Sequence, residues 1–99
     1  MFYFVRSDSD WSVIYNNLKQ AEECFENWKD NYMAEGVSLD DSFVEIYEAK
    51  SRNDEDIDNA KIIKRVEVVV DEQQYKDLGS PEENGMEFQF WAKWQEVSV

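Results

Sequence analysis

Residues able to carry out covalent chemistry are few in this chain of 99 amino acids. It contains no histidine, and its one cysteine, Cys24, falls within a stretch whose spacing predicts a helix. A nucleophilic triad needs a general base beside the nucleophile, and histidine is the usual base. The 23 aspartate and glutamate residues could supply a catalytic carboxylate pair, but no spacing marks out such a pair. We therefore predict that the protein is not an enzyme.

An acidic run over residues 53–59 has the spacing with which calcium loops begin. Asp54, Asp56 and Asp58 alternate along the chain as the first ligands of an EF-hand loop do. The likeness then ends, because Asn59 stands where that loop requires glycine and Arg65 stands where it requires a bidentate glutamate. Charge runs usually face water. We expect a solvated acidic loop and predict neither a metal nor another cofactor.

The charge balance is the most distinctive property of the sequence. There are 23 acidic and 10 basic residues, which gives a formal net charge of −13 at pH 7. Such a surface repels nucleic acids and anionic membranes and attracts basic proteins. The expected partner is therefore a protein, specifically a basic nucleic-acid-binding protein or complex. We expect no direct binding to nucleic acid and none to a membrane.

Carboxylates spaced along a rigid surface can imitate the phosphates of duplex DNA and occupy a basic groove on another protein. The candidates for such a surface lie in the predicted helix, in the acidic loop and near the last turn. They are Glu22, Glu23, Glu26, Asp30, Asp54, Glu55, Asp56, Asp58, Glu82 and Glu83. The alternative is that these residues are ordinary surface charges that keep the protein in solution. The two interpretations differ in whether the carboxylates converge on one face.

The four tryptophans suggest a second kind of contact. Trp91 falls on the polar side of the last predicted strand, where it would be an exposed anchor for a partner. The alternative is that a loop or a partner strand covers it. We expect the other three, Trp11, Trp28 and Trp94, to lie in the core.

The N-terminal half predicts a hairpin followed by a long helix. Residues 2–6 and 11–15 are rich in aromatic and β-branched side chains, and the Ser-Asp-Ser-Asp stretch between them is typical of a turn. Asn16 and Asn17 then offer an N-cap, and Gly36 marks the end of the helix. Spacings of three and four predict one buried apolar stripe: Leu18, Ala21, Phe25, Trp28 and Tyr32.

The C-terminal half predicts three strands, over 42–50, 61–71 and 87–97. A polar loop is expected over 51–59 and a helical turn over 72–78. The last segment alternates, with Met86, Phe88, Phe90, Ala92 and Trp94 on one side and mainly polar residues on the other. The order β-β-α-β-β-β predicts an α+β fold, with one antiparallel sheet of about five strands and the amphipathic helix packed on one face.

Length and cysteine content bear on the compartment. We expect one domain over 1–99, because a chain of this length has room for one modest core. Cys24 alone cannot form an intramolecular disulfide, and residues 1–6 lack the basic start and cleavage site of a signal peptide. No stretch approaches the roughly 20 apolar residues of a membrane span. The sequence therefore predicts a soluble cytoplasmic protein.

In size, acidity and lack of catalytic residues, the chain resembles the small inhibitors that bacteriophages make against host defences, including anti-CRISPR and anti-restriction DNA mimics. The resemblance covers no alignable motif, so it transfers no functional residue. It implies that an acidic face docks on lysines and arginines that normally hold nucleic acid, and that charge steering speeds the association. The location it implies is the host cytoplasm.

Two other classes of protein fit the same charge. One is an immunity or antitoxin-type protein that neutralises a basic nuclease toxin. The other is an acidic interaction or oligomeric domain with no charge-driven partner. The sequence makes no prediction of the oligomeric state.

Overall fold

The sheet is antiparallel, and the spatial order of its strands follows the chain. In the computed structural model, which describes residues 1–39, 41–87 and 89–99, four strands form it in the order β1-β2-β3-β4. They are β1 (Phe2–Ser7), β2 (Phe43–Ala49), β3 (Lys61–Val70) and β4 (Ala92–Val97). Each consists mainly of residues that favour strands or alternate in polarity. The predicted α+β fold with one antiparallel sheet is confirmed, with four strands in place of about five.

The predicted strand over 11–15 is the one that does not form. This segment runs back beside β1 but joins it only at two isolated bridges, Tyr3 with Tyr15 and Arg6 with Trp11. Between the bridges, the Ser12 hydroxyl accepts a hydrogen bond from the Val5 amide at 2.8 Å. In a continuous ladder a backbone carbonyl would accept the hydrogen bond from the Val5 amide. Here the Ser12 side chain accepts it, so the strand pairing is interrupted.

The long helix α1 (Leu18–Glu35) forms as predicted and packs on one face of the sheet. The Asn17 side chain caps it by accepting a hydrogen bond from the Lys19 amide at 2.8 Å, and Gly36, with φ of 123°, follows its last residue. Leu18 lies in the first turn and is 37% exposed, so it lies outside the core that the spacing predicted for it. The buried cluster between helix and sheet consists of Val5, Ala21, Phe25, Val44, Ile46 and Val66.

Two short helices connect the later strands. The helical turn predicted over 72–78 is the helix α3 (Glu72–Leu78), and a 3₁₀ turn (Glu82–Asn84) follows it. The loop predicted over 51–59 is wrong in part, because α2 (Asp54–Asp58) forms within it. The Asn53 side chain caps α2 by accepting a hydrogen bond from the Asp56 amide at 2.8 Å. Acidic residues in a first helical turn are favoured by the helix dipole, so the run that suggested a solvated loop also suits a helix start.

The last strand begins five residues later than the predicted 87–97. Trp91 lies just before β4, where its carbonyl accepts a hydrogen bond from the Asp71 amide at 2.8 Å. Its indole N–H donates to the Gly79 carbonyl at 2.7 Å, which ties this segment to the end of α3. Phe88, predicted to lie on the same side of this strand as Ala92 and Trp94, falls outside the described residues.

The molecule is elongated, with principal extents of 51 × 22 × 21 Å. Its radius of gyration of 15.8 Å exceeds the roughly 13 Å typical of a chain of this length. The two ends differ in their connections: α2 lies where β2 finishes and β3 begins, and α3 lies where β3 finishes. The ten residues of β3 separate these ends by roughly 33 Å. Among the described residues, none of the helices combines the length and apolar character needed to cross a bilayer.

Candidate protein-binding surfaces

The predicted carboxylates occupy three separate places. Those of α1 lie on its solvent side, where Glu22, Glu23 and Asp30 are exposed. Glu26 is also exposed and pairs with Lys29 at 3.2 Å, one turn along the helix. These four residues form a stripe along the middle of the molecule. The other two groups lie beyond the stripe, one at each end of the sheet.

The α2 carboxylates lie among basic residues. Asp54, Glu55 and Asp58 are exposed, while Asp56 accepts a hydrogen bond from the Ser51 hydroxyl at 2.6 Å. Within residues 50–61 three basic side chains offset three of the four acidic ones, so the segment carries a formal charge of −1. These basic side chains are Lys50, Arg52 and Lys61. The α2 carboxylates and their neighbours in the chain therefore carry little net charge together.

The opposite end of the sheet holds the greatest excess of negative charge. There β1 and β3 finish, β2 and β4 begin, and α1 ends, so the connecting segments of all these elements meet. Glu82 and Glu83, the third predicted group, lie at this end. The described residues place ten acidic side chains here with two basic ones, Lys76 and Lys93, for a formal charge of −8. We call this set the acidic end: Asp8, Asp10, Glu35, Asp41, Asp71, Glu72, Asp77, Glu82, Glu83 and Glu87.

The rest of the described chain is much closer to neutral. It carries twelve acidic and eight basic residues, or −4. The charge of the protein is thus concentrated at one end of a long molecule. Local sequence patterns could not reveal this concentration, because it depends on the direction in which each strand runs and on which connections share an end.

Two further features add to the character of the acidic end. The C-terminus of α1 points here, and its last turn contains no basic residue, so the partial negative charge of the helix end is unopposed within that turn. A groove of about 620 Å³ also opens between the end of α1, α3 and the segment before β4. Its walls are partly apolar, from Met33, Val37 and Phe90, and partly acidic, from Glu35 and Glu87.

Two of the four tryptophans differ in exposure from what the sequence suggested. Trp91 is 8% exposed and covered by its contacts near Gly79, so of the two predicted alternatives the covered one is observed and Trp91 is not an exposed anchor. Trp11, expected in the core, is 58% exposed, because it stacks on Phe4 on the side of the sheet opposite α1. Trp28 and Trp94 pack against the core cluster, as expected.

The face of the sheet that α1 leaves uncovered holds a network of charged side chains that sequence reasoning missed. Glu45 is 2% exposed, accepts a hydrogen bond from the Tyr47 hydroxyl at 3.0 Å and pairs with Arg65 at 2.7 Å. Arg65 also pairs with Glu67 at 2.8 Å. Partial burial alone would lower the pKa of Arg65, but the hydrogen bonds that its guanidinium donates to Glu67 and Glu45 outweigh burial and raise that pKa above its usual value.

Cys24, the residue considered first for covalent chemistry, lies in α1 beside Tyr15. Cys24 is half-buried, and burial raises the pKa of its thiol although a hydrogen bond with Tyr15 acts in the opposite direction. The thiol is therefore a weaker source of thiolate than a free cysteine. Within residues 1–39, 41–87 and 89–99, no group of three or more Cys, Asp or Glu side chains is placed to hold a metal ion. Comparison of the chain with protein-family models, with curated protein sequences and with solved structures finds no match.

Proposed function

We propose that the protein is a non-catalytic inhibitor that docks its acidic end on a basic, nucleic-acid-binding surface of another protein and so keeps nucleic acid away from it. The observation that carries this proposal is the uneven charge, −8 at the acidic end against −4 over the rest of the described chain. An even spread would be explained by solubility alone. A concentrated negative field attracts a positively charged partner.

The uneven charge would act both on the rate and on the geometry of binding. A charged end steers an oppositely charged partner during the diffusional encounter, which raises the association rate and makes it sensitive to salt. The groove beside Glu35 and Glu87 would then receive a lysine or arginine side chain, with its aliphatic stem on the apolar wall. The α1 stripe extends the negative surface away from this contact.

Charge density along the molecule supports a comparison with duplex DNA. The duplex carries one phosphate charge per roughly 1.7 Å of its axis. The net charge of −13 over a length of 51 Å corresponds to about one negative charge per 3.9 Å, and most of it lies at the acidic end. A basic groove that holds DNA would thus meet about half the charge density of the duplex, concentrated at one end of the protein. This supports an anti-defence role of the DNA-mimic kind, in the cytoplasm of a host cell.

The test is a capture experiment with two variants that have the same net charge. Tagged wild-type protein is incubated with bacterial lysate at 50 and 300 mM salt, and bound proteins are challenged with duplex DNA. The acidic-end variant carries Glu72→Gln, Glu82→Gln and Glu87→Gln, and the control carries Asp54→Asn, Glu55→Gln and Asp58→Asn. Each loses three exposed carboxylates, so each has a formal charge of −10.

The proposal expects a nucleic-acid-binding protein that DNA displaces and that raised salt releases. The acidic-end variant should bind this protein at least about tenfold more weakly, while the control should stay within about twofold of wild type, since its carboxylates already have basic neighbours. If both variants lost the same amount of binding, net charge alone would explain the loss, and the proposal would be contradicted. Capture of a basic nuclease toxin would assign the immunity-type function instead.

A further inference from the structure

The three arginines of the chain share one arrangement on the uncovered face of the sheet. Each guanidinium lies over an aromatic ring: Arg6 over Trp11 at 5.0 Å, Arg52 over Phe2 at 5.2 Å, and Arg65 over Phe43 at 4.4 Å. Phe2 and Phe43 alternate along β1 and β2 with residues that pack under α1, so they belong to the opposite side of the sheet. We call this side, together with Trp11, the arginine face.

Aromatic rings form a layer between these arginines. Phe4 stacks on Tyr47 with centroids 4.9 Å apart and on Trp11 with centroids 5.4 Å apart. Phe4 is 2% exposed, whereas Trp11 is 58% exposed and forms the outer layer of the stack. Tryptophan, tyrosine and arginine are the residues most enriched at the energetic centres of protein interfaces. The arginine face has this composition on a rigid sheet.

The charge of the arginine face is opposite in sign to that of the protein. Its charged side chains are four basic ones, Arg6, Arg52, Arg65 and Lys93, and two acidic ones, Glu45 and Glu67. Glu45 is buried in its pair with Arg65, so the accessible part of the face is positive. Two copies of a chain with a charge of −13 repel one another at most orientations. This face is where they can approach with the least repulsion.

We propose that the arginine face docks a second copy of the chain, with the two sheets face to face about a two-fold axis perpendicular to the strands. This orientation places the acidic end of each copy beside the α2 end of the other. Asp8 and Asp10, which lead into Trp11, then lie near the partner's basic residues around Arg52. The opposite orientation would bring the two acidic ends together. Charge thus selects both the surface and the direction of pairing.

The size of the face sets the strength of this association. Strands of six to ten residues, four of them side by side, give a footprint of roughly 400 to 600 Å² per copy. Interfaces of this size lie at the low end of those that form specific complexes. We therefore expect a reversible dimer with a Kd of roughly tens of micromolar. The acidic ends and the outer sides of both α1 helices stay accessible in it.

Sedimentation of the purified chain from 5 µM to 1 mM, at 50 and 500 mM NaCl, tests the dimer. The mass should rise from 11.8 kDa toward twice that value with concentration. Raised salt should tighten self-association at least about threefold, because it screens the repulsion between two negative molecules. Binding of a basic partner at the acidic end should weaken under the same change, so the failure of one proposal is distinguishable from the failure of the other.

Two pairs of variants locate the interface. Trp11→Ala should raise the dimer Kd at least about tenfold, whereas Leu78→Ala, which removes a 52% exposed side chain at the acidic end, should leave it unchanged. Lys93→Glu should weaken the dimer about threefold or more beyond its matched control Lys76→Glu, although both variants have a charge of −15. Urea unfolding at 5 µM verifies that each variant remains folded.

Two results would overturn the proposal. One is a mass of 11.8 kDa at 1 mM in both salts. In that case, loss of a captured partner on Trp11→Ala would assign the arginine face to another protein. The other is a dimer that neither Trp11→Ala nor Lys93→Glu weakens, because self-association would then use a different surface.

Discussion

Glu45 shows what a single residue contributes to the uncovered side of the sheet. A carboxylate that is 2% exposed would be costly without partners, and here Arg65 and the Tyr47 hydroxyl satisfy its two oxygens at 2.7 and 3.0 Å. The same guanidinium contacts the Phe43 ring. The Glu45–Arg65 ion pair therefore orders side chains at the centre of the arginine face. Removing one partner should lower the stability of the protein much more than removing both.

Arg65→Met should lower the free energy of unfolding by about 2 to 3 kcal/mol, because it leaves the Glu45 carboxylate buried without a counter-charge. The double variant Glu45→Leu/Arg65→Met should recover most of that loss, since apolar side chains of similar size carry no desolvation penalty. Urea unfolding at 5 µM measures both. Lys93→Met, at an exposed position of the same face, serves as the control and should change stability by less than about 0.5 kcal/mol. If the double variant were less stable than Arg65→Met alone, this account of the pair would be wrong.

At the scale of elements, α3 depends on a capping carboxylate at the acidic end. Asp71 precedes the helix and accepts hydrogen bonds from the Gln74 side-chain amide at 2.8 Å and, more weakly, from the Gln74 backbone amide at 3.4 Å. The side-chain hydrogen bond is the largest of the effects that hold the pKa of Asp71 below its ordinary value of 3.8. Such bonds favour the charged form of the carboxyl in the folded state.

Gln74→Ala should therefore raise the pKa of Asp71 toward 3.8, as measured by NMR titration of the carboxyl carbon. Because the folded-state pKa is lowered, the stabilisation is fully present above the unfolded-state pKa and is lost as pH falls through the folded-state pKa. Wild-type α3 should thus withstand mild acid better than α3 in the variant. Gln73→Ala is the control, because the Gln73 side chain bonds to Asp77 and not to Asp71. An unchanged Asp71 pKa in Gln74→Ala would refute the assignment.

Local patterns predicted the elements whose determinants are local. The helix α1 follows from an Asn17 cap, spacings of three and four, and Gly36, and the strands β2 and β3 follow from β-branched runs. The strand predicted over 11–15 does not form, because the Ser12 hydroxyl and not a backbone carbonyl accepts the hydrogen bond from the Val5 amide. The surfaces could not be predicted in the same way. Whether Trp11 or Trp91 is exposed, and which connections meet at one end, depends on contacts between residues far apart in the chain.

At the scale of the whole molecule, repulsion among the carboxylates of the acidic end destabilises the folded protein. Ten described carboxylates share this end with two basic side chains, Lys76 and Lys93, whereas the four α2 carboxylates have three basic residues close to them in the chain. Repulsion among like charges opposes the compact state, and salt screens it over distances beyond about 8 to 10 Å. Stability should therefore rise with ionic strength, and the acidic end should account for most of the rise.

Raising NaCl from 10 to 300 mM should increase the Tm of the wild-type protein by about 4 °C, which corresponds to about 1 kcal/mol for a domain of this size. The triple variant of Glu72, Glu82 and Glu87 should show less than about half of this increase. The equally charged triple variant of Asp54, Glu55 and Asp58 should retain most of it. Thermal unfolding followed by circular dichroism measures all three, and equal increases would contradict an uneven distribution of repulsion.

The order of the strands in the sheet also has a kinetic consequence. Each strand pairs with its neighbours in sequence, so no pairing has to wait for a distant segment to thread between two others. The contact of Glu48 with Lys61, between β2 and β3, closes the shortest of the three loops. The contact of Val70 with Ala92, between β3 and β4, closes the next, and that of Ser7 with Val44, between β1 and β2, closes the longest. Since short loops close at the smallest entropic cost, the β2–β3 hairpin should nucleate folding and β4 should add to it. The segment from β1 through α1 should dock last, which seals the core in a late step.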